Sequence, residues 1–348
     1  MRASADVAVL GCGPAGAAAA IRCAQAGLDT ILIEAETFPR DRPGETLHPG
    51  VEPLLEMLGV LDDVLQLEPL RHTGNWIEWG GEREFQAFGA DEDGQWRGFQ
   101  VLRSDLDAIL MRRARQVGVA VYEGCRASSA LIDADRLLGV STAAGDVRAQ
   151  WVVDAGGGRH WLADQLGIDT DVRSPRLLAW YGYAEGSTDE WDAPRIAADE
   201  GGWTWIAPIR AGLLQWTRLN FDNARPEPTW LPPQLAGYRP RGTMRGADVT
   251  WRAVAPPAGP GFFMIGDAAA VLDPASSHGV LKGLVTGIKV SHLIEQARSG
   301  AIPAAKAAAD YAEFVRRMFD DDVAKLRQIY QRLPNSPFGL HPPAGRVK

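Results

Sequence analysis

The pattern of apolar and polar positions in the N-terminal part of the chain predicts a strand, a turn, a helix and a second strand, in that order. Residues 6–10 form a short apolar strand, and a glycine-rich turn leads from it into an alanine-rich helix that we expect to end before Gly27. A second apolar strand covers residues 30–34. Later in the chain, residues 261–265 form another apolar strand, and a long helix is predicted to run from the following turn to about residue 296. These patterns predict an α/β fold.

The middle and the end of the chain show shorter periods. Residues 119–153 alternate short apolar runs with turn signals, which favours a β-meander. A helix is expected to open within residues 101–107, with apolar positions spaced along one face. The proline- and glycine-rich segment after Leu333 predicts an irregular tail.

The first glycine-rich turn carries three glycines at the spacing of a dinucleotide-binding fingerprint. Gly11 permits the tight turn, Gly13 lets a pyrophosphate approach the backbone, and Gly16 lets the helix pack closely on the strand. Pro14 suits the first helical turn, where its missing N–H costs nothing, and Ala15 follows it. The free N–H groups at this helix N-terminus would bind the anion.

The second strand ends in a carboxylate at the position where adenosine ribose hydroxyls need an acceptor. Glu34 lies 18 residues after Gly16, and Ala35 follows it. A structural glycine-rich turn is the alternative explanation for the glycines taken alone. Because strand, loop, helix, strand and acid occur in order, the sequence predicts a bound dinucleotide.

Composition narrows the class of protein. The length of 348 residues fits a nucleotide-binding domain with a substrate-binding elaboration. The net charge of −8, without a basic cluster, argues against a nucleic-acid partner. No apolar run reaches the roughly 20 residues needed to span a bilayer, so no membrane partner is expected. The three cysteines lack CxxC spacing, so no metal site is expected and a cytoplasmic protein with reduced thiols is the simplest interpretation.

A second motif resembles the flavin-binding segment of FAD-dependent aromatic hydroxylases and tryptophan halogenases. The strand at 261–265 leads into Gly266 and Asp267, and in these families the aspartate holds a ribityl hydroxyl of the flavin. The resemblance also places Pro274, Gly279 and Val280 at the flavin ring. The following helix N-terminus would direct its positive end towards reduced flavin.

Three more segments carry the same resemblance. Arg103 matches an arginine that reaches the FAD, although alone it could equally be a surface charge. Asp154 lies in a segment similar to the strand that closes the FAD domain. Arg42 and Glu45 begin a segment that looks like the Gly-Glu-Ser/Thr motif of halogenases, beside the flavin. A surface turn capping a helix at 51–58 is the alternative for this segment.

The resemblance implies the fold of p-hydroxybenzoate hydroxylase: a Rossmann-type FAD-binding domain, an antiparallel-sheet substrate domain and C-terminal helices. The FAD-binding domain would be discontinuous and would combine residues 1–70, 100–165 and 255–300. The substrate-binding domain would comprise residues 71–99 and 166–254. C-terminal helices and an irregular tail would occupy residues 301–348.

The choice between hydroxylase and halogenase depends on two side chains. Where related halogenases carry a lysine that handles hypohalous acid, this sequence has His72, and where tryptophan halogenases add a glutamate it has Ser276. Without these two groups, a flavin C4a-hydroperoxide formed from O2 would transfer its oxygen to an aromatic ring. The electrons would come from NAD(P)H or a flavin reductase. A hydroxylase is therefore predicted.

Histidine and tryptophan side chains supply the remaining candidates. His72 and His278 could act as a general base because the pKa of imidazole is near neutrality, although a lone histidine is more often structural. Glu45 is the carboxylate candidate. The segment containing Trp203 and Trp205 resembles a halogenase box and would line a tunnel to the substrate, although a well-packed strand would look the same. The proposed substrate contacts are Trp203, Trp205, His48, Ser276 and Ser277.

Residues 266–281 are most similar to flavoproteins of the LodB, GoxB and QhpG type, which modify tryptophan within a protein or peptide. That resemblance implies a peptide or protein substrate whose tryptophan is hydroxylated. Three alternatives stay open: a halogenase with an unusual catalytic pair, a reductase like geranylgeranyl reductase, and a flavin-bound assembly factor.

Overall fold

The computed structural model describes residues 3–333 and 335–338, without the side chain of Ser276. The α-helices of this part are α1 Pro14–Gln25, α2 Glu52–Leu58, α3 Leu61–Leu65, α4 Arg103–Gln116, α5 Trp161–Leu166, α6 Gly279–Arg298 and α7 Ala304–Tyr330. Short 3-10 turns occupy Pro49–Val51, Pro233–Leu235, Gly266–Ala268 and Pro274–Ser276.

The strands form one parallel-cored sheet, one large antiparallel sheet and three small ones. In chain order they are β1 Ser4–Leu10, β2 Thr30–Ile33, β3 Thr46–Leu47, β4 Leu70–His72, β5 Gly74–Glu78, β6 Glu84–Ala87, β7 Ala90–Asp91, β8 Gly94–Gln95, β9 Gly98–Gln100, β10 Ala120–Tyr122, β11 Ala127–Asp133, β12 Arg136–Thr142, β13 Gly145–Asp154, β14 Thr170–Val172, β15 Leu178–Glu185, β16 Arg195–Asp199, β17 Gly202–Arg210, β18 Leu213–Asn220, β19 Arg239–Asp248, β20 Arg252–Val254, β21 Ala258–Gly259, β22 Phe262–Met264 and β23 Ala270–Val271.

The parallel core of the first sheet brings the sequence motifs to one edge. The order β10-β2-β1-β13 is parallel throughout, and β22 also joins β13 in parallel. Leu10 is opposite both Ile33 and Asp154, and Asp154 is opposite Met264. Since parallel strands share their carboxyl ends, the glycine turn, Glu34 and the Gly-Asp motif all start at this edge.

Helices α1 and α6 pack closely because both carry small residues. A Cβ added at Gly287 would lie 2.3 Å from the Ala15 carbonyl oxygen and 3.0 Å from the Ala19 nitrogen. A Cβ at Gly283 would lie at an ordinary 3.5 Å from the Cβ of Ala15. This contact holds the N-terminus of α6 beside the N-terminus of α1.

The second large sheet has the order β19-β15-β18-β17-β16-β5-β6 and confirms the predicted substrate-domain architecture. It is antiparallel except for the parallel pair β5 and β16. One detail differs from the prediction. Strand β10 pairs in parallel with β2 instead of joining the β-meander, which is confined to β11–β13. The predicted helical C-terminal part is present, with α7 following α6 in the described residues.

Helix α7 packs into two hydrophobic cores. Tyr311 and Val315 belong to the core around the parallel sheet, and Phe319 and Val323 belong to the core of the large antiparallel sheet. The apolar stripe at these spacings follows the helical repeat. Within the described residues, no helix has the length and apolarity required to cross a membrane.

Candidate flavin site and catalytic residues

The turn after β1 forms a backbone cradle that only glycine can complete. Gly11 has φ +95°, and a Cβ there would lie 2.6 Å from the Ala155 carbonyl oxygen. A Cβ at Gly16 would lie 1.9 Å from the Gly11 carbonyl oxygen, so α1 approaches the turn closely. A Cβ added at Gly13 would lie 3.7 Å from Arg40 Nη2 and 4.0 Å from Arg103 Nη2. The helix N-terminus and these two cations suit a diphosphate.

Glu34 is buried just beyond the end of β2, where it organises the cradle. Its Oε2 accepts from the Cys12 backbone N–H at 2.7 Å, and its Oε1 accepts from the Glu36 N–H at 2.8 Å. Arg40 Nη1 lies 3.3 Å from Glu34 Oε1. These three contacts set the orientation of the carboxylate, and its role as ribose acceptor stays a prediction.

A chain of alternating charges continues from Glu34 across the site. Arg40 Nη2 lies 3.6 Å from Asp107 Oδ2, and Asp107 accepts from Arg103 Nε at 2.9 Å and from Arg103 Nη2 at 3.0 Å. Asp107 is fully buried. Sequence analysis predicted Glu34 and Arg103 but missed Arg40 and Asp107. The i,i+4 spacing of Arg103 and Asp107 on a helix was the available signal.

Two other predicted cofactor residues are occupied elsewhere. Arg42 lies at the surface, where its Nη2 is 2.6 Å from Glu36 Oε1. Asp154 is buried and accepts from the N–H groups of Gly156 at 2.8 Å and Leu162 at 3.2 Å. Burial raises its pKa to about 6. Asp154 thus shapes the loop after β13, and Arg40 lies nearer to Gly13 than the surface residue Arg42 does.

The Gly-Asp motif lies beside the second turn of α6. The Gly266 N–H donates to Thr286 Oγ1 at 3.0 Å, and a Cβ at Gly266 would lie 3.0 Å from the Cβ of Ala15. Asp267 is exposed, and Arg103 and Lys282 act on its carboxylate electrostatically.

The segment that contains Gly44 and Glu45 lies next to Arg103 and to the first turn of α6. A Cβ at Gly44 would lie 3.3 Å from Arg103 Nη1 and 3.7 Å from Val280 Cγ2. Glu45 is buried, and its carboxyl group accepts from the Gly44 N–H at 2.8 Å and from the Tyr183 hydroxyl. Burial raises the pKa of Glu45. Tyr183, which sequence analysis missed, therefore ties the large sheet to this segment.

The three candidate histidines come together around Phe88. The ring centroids of His48 and His278 are 5.0 Å apart, and those of His48 and Phe88 are 5.2 Å apart. His72 lies on the other side of Phe88, with 5.4 Å between the centroids. Residues distant in sequence thus form one aromatic cluster. It begins at residues 274–278 before α6, called the flavin-facing loop because the resemblance implies that the flavin ring lies there.

His72 is the most unusual member of this cluster. It is 4% exposed, and neither of its ring nitrogens has a hydrogen-bond partner in the described residues. Burial, with smaller effects from Arg71 and His48, lowers its pKa to about 4. His72 is therefore neutral at pH 7 and has a nitrogen lone pair to accept a proton. His48 differs because its Nδ1 already accepts from the Gly50 N–H at 3.0 Å.

The predicted tryptophan box belongs to the core of the large sheet. Trp203 is fully buried, and its indole N–H donates to the Tyr330 hydroxyl at 2.7 Å. Tyr330 in turn donates to Asp273 at 2.9 Å, and Trp251 donates to the same carboxylate at 2.8 Å. Burial raises the pKa of Asp273 to about 6. This network fixes the turn that carries the flavin-facing loop.

The remaining predicted contacts lie on or near that loop. Asp273 accepts from the Ala275 N–H at 2.9 Å and so caps the turn that starts at Pro274. Ser277 has φ +50° and is half-buried, and Gly279 begins α6. Ser276 ends the turn, and its side chain is outside the described atoms. Trp205 lies two residues after Trp203 in the same core.

The comparisons with known proteins agree with this geometry. Residues 4–215 match the family described as FAD binding domain. The chain belongs to this family. It is therefore an FAD-binding protein, and the glycine cradle, Glu34 and the two arginines, Arg40 and Arg103, fit that cofactor.

Two relatives are similar along most of the chain. The tryptophan 2-halogenase of Chondromyces crocatus is 27% identical over 91% of this chain and 65% of its own length. The chain thus spans less than two thirds of that halogenase. A menaquinone reductase of Mycobacterium tuberculosis is 30% identical over 84% of this chain and 77% of its own length.

Solved structures share the fold. The myxobacterial chondrochloren halogenase CndH superposes with a TM-score of 0.84 at 23% identity, covering 95% of this chain and 84% of that one. PqsL of Pseudomonas aeruginosa, a probable FAD-dependent monooxygenase, gives 0.82 at 17% identity, with 96% and 98% covered. The predicted α/β fold with an FAD-binding domain is confirmed.

Proposed function

We propose that this protein is an FAD-dependent monooxygenase that hydroxylates the indole ring of tryptophan. The observation that carries the proposal is His72, a buried neutral imidazole with two unpartnered nitrogens in the described residues. It lies one phenyl ring away from the His48–His278 pair. A base in this position can accept the proton that leaves the ring during hydroxylation.

The distribution of lysines favours hydroxylation over halogenation. The first lysine in the sequence is Lys282, so the segments before α6 offer no ammonium group to handle hypohalous acid. The Lys282 ammonium lies 2.6 Å from Asp322 Oδ2. His72 stands at the position where the halogenase lysine was expected. Oxygen transfer to the ring is therefore favoured over halogen transfer.

Each part of the site has a distinct role in this proposal. Bound FAD supplies the oxygen chemistry, as a cofactor does for reactions that side chains cannot perform. Arg40 and Arg103 would hold its diphosphate, and Glu34 would accept from its ribose. His72 orients the indole and takes up the proton. The surrounding apolar residues exclude water from the reacting atoms.

The form in which tryptophan arrives is a separate question. The peptide-borne form rests on the resemblance of residues 266–281 to flavoproteins that modify tryptophan within proteins. Free tryptophan is the competing form. Incubation with both, followed by mass spectrometry, distinguishes them: a peptide product alone supports the first, and hydroxytryptophan alone supports the second.

The test is the reaction of the pre-reduced FAD enzyme with O2, with and without bromide, followed by absorbance and product mass. We expect a transient spectrum before oxidised flavin returns, and a product that gains one oxygen atom even when bromide is present. The His72→Gln variant should keep FAD and lose product. A brominated product would contradict the proposal.

A reductase is the second candidate function, and the menaquinone reductase at 30% identity favours it. It predicts anaerobic reoxidation of the reduced flavin by a menaquinone, with two hydrogen atoms added to the acceptor. Reoxidation by O2 alone, without a transient spectrum, together with anaerobic turnover, would replace the monooxygenase by this reductase.

A further inference from the structure

A cleft of about 240 Å³ borders His72 on the edge of the large sheet that carries β5 and β6. Its walls include Arg71, His72, Thr73, Phe85, Arg97 and Asp192. The cleft therefore combines cations, an aromatic face and the unpartnered imidazole. None of these groups except His72 was assigned a role from the sequence.

The charges around the cleft leave one cation available. Arg71 Nη2 lies 3.1 Å from Glu52 Oε2, and its guanidinium stacks on Phe99 at 4.0 Å. Asp192 accepts from the Trp76 indole N–H at 2.9 Å, and its carboxylate lies 3.9 Å from Arg195 Nη2, which offsets its charge. In the described residues, the exposed guanidinium of Arg97 has neither an ion pair nor a hydrogen bond, although its backbone oxygen accepts from Arg71. Arg97 thus gives the cleft an uncompensated positive charge, which suits a carboxylate.

Phe85 gives the cleft an apolar wall. Its side chain is 40% exposed, and its ring packs edge-on against Trp76 with 5.0 Å between the centroids. An exposed aromatic ring in a cleft offers a stacking surface to a flat ligand. The unpartnered nitrogens of the 4% exposed His72 add a hydrogen-bonding position. A buried polar group without a partner is costly unless a ligand satisfies it.

We infer that this cleft binds an aromatic carboxylate, with the ring against Phe85, the carboxylate on Arg97 and the ring edge at His72. The inference rests on the proposed function only for the identity of the ring as indole. From His72 the aromatic cluster continues through Phe88 to His48 and His278 at the flavin-facing loop. The chemistry of the cleft therefore indicates a substrate class, an indole with a short carboxylate-bearing side chain.

The experiment is calorimetric titration of the FAD-loaded protein with 3-indolepropionate and with 3-ethylindole, its counterpart without a carboxylate. We expect the carboxylate to bind about tenfold or more tightly, the effect of one charge-assisted hydrogen bond. The Arg97→Ala variant should reduce this ratio to about twofold or less. The Arg126→Ala variant, which alters an exposed arginine in the loop before β11, should keep it.

Each other result overturns the inference. Equal affinities in the parent protein, no binding of either compound, or an unchanged ratio in Arg97→Ala would exclude a carboxylate site at Arg97. Preferred binding of an internal tryptophan in a peptide amide would also exclude it. Failure of the proposed function is distinguished separately: the binding preference would persist while no oxygenated product forms.

Discussion

The charged side chains around the phosphate cradle form ion pairs and hydrogen bonds with one another in the absence of a cofactor. Glu34, Arg40, Asp107 and Arg103 form a continuous chain of charge contacts between 2.9 and 3.6 Å. Each buried charge has an opposite charge beside it, which offsets the cost of its burial. The site is therefore arranged in advance for a diphosphate and a ribose.

The first residue-level prediction concerns Glu34. The Glu34→Ala variant should weaken FAD binding by about 10- to 100-fold, because a buried charged acceptor is lost and the Cys12 N–H and Arg40 lose their partner. Titration of the apoprotein with FAD, followed by flavin fluorescence, measures the change. Glu56→Ala is the control, since that glutamate is exposed on α2 away from the cradle, and should bind FAD normally. Equal affinities in the two variants would contradict the role of Glu34.

The second residue-level prediction concerns the pH dependence of stability. The folded protein keeps His72 neutral down to about pH 4, whereas the unfolded chain takes up a proton near pH 6.5. Stability supported by the neutral imidazole is thus present above pH 6.5 and falls as the pH drops towards 4. Between pH 7 and pH 5 the loss should be about 2 kcal/mol.

Urea unfolding at the two pH values, in the parent and in the His72→Gln variant, measures this contribution. The variant should lose about 2 kcal/mol less between pH 7 and pH 5 than the parent. His292→Gln is the control, because that imidazole is 58% exposed and should leave the difference unchanged. A parent and a His72 variant with the same pH slope would show that folding does not lower the pKa of His72.

At the level of elements, the contact of α1 with α6 determines how the two flavin motifs meet. Alanines on α1 and glycines on α6 allow the helix backbones to approach each other. The turn at Gly266 is therefore close to α1, and a Cβ added at Gly266 would lie 3.0 Å from the Cβ of Ala15. The sequence predicted both helices from their patterns. The pairing itself follows from small residues on two faces that are distant in sequence.

The prediction at this level compares two glycines of α6. Gly287→Ala should lower the free energy of unfolding by about 1–3 kcal/mol, because the added Cβ would lie 2.3 Å from a backbone oxygen of α1. Gly283→Ala, one turn earlier, has an ordinary 3.5 Å contact and should be neutral or stabilising by up to about 1 kcal/mol. Urea denaturation of both variants checks this. Equal destabilisation would mean that the helices are not in close contact at Gly287.

At the scale of the whole molecule, α7 joins the two cores. Its first half packs on the parallel sheet through Tyr311, and its second half packs on the large antiparallel sheet through Phe319 and Tyr330. The Tyr330 hydroxyl also bonds to Trp203 and Asp273, so it connects the large sheet to the flavin-facing turn. A single helix shared by both cores favours cooperative unfolding.

The whole-molecule prediction is one transition for both halves. Tryptophan emission, dominated by the large sheet, and release of FAD from the parallel-sheet domain should change at the same urea concentration. Phe319→Ala, which removes a buried ring of α7, should cost about 3–5 kcal/mol and lower both midpoints together. Two separated transitions in the parent protein would show that α7 does not couple the cores.

Local pattern was enough to predict the elements that bind the cofactor. The glycine turn needs only adjacent residues with specific backbone freedom, and Glu34 follows from its distance along the chain. The end of α1 at Gln25 and the start of α4 at Arg103 also agree with the sequence. Asp107 could have been found from its i,i+4 spacing to Arg103 on the same helix. Arg40 and Tyr183 could not be found from local pattern, because Asp107 and Glu45, which they contact, lie on other segments.

The sequence by itself determined the α/β fold, the dinucleotide cradle and the set of candidate histidines, since these depend on local periodicity and short-range spacing. Only the tertiary structure decided which side chains share an environment. It buried His72 without a partner in the described residues, enclosed Trp203 in a core, and left Arg97 available beside Phe85. The physical reason is that burial and charge pairing arise from contacts between elements, and one sequence contains no measure of those distances.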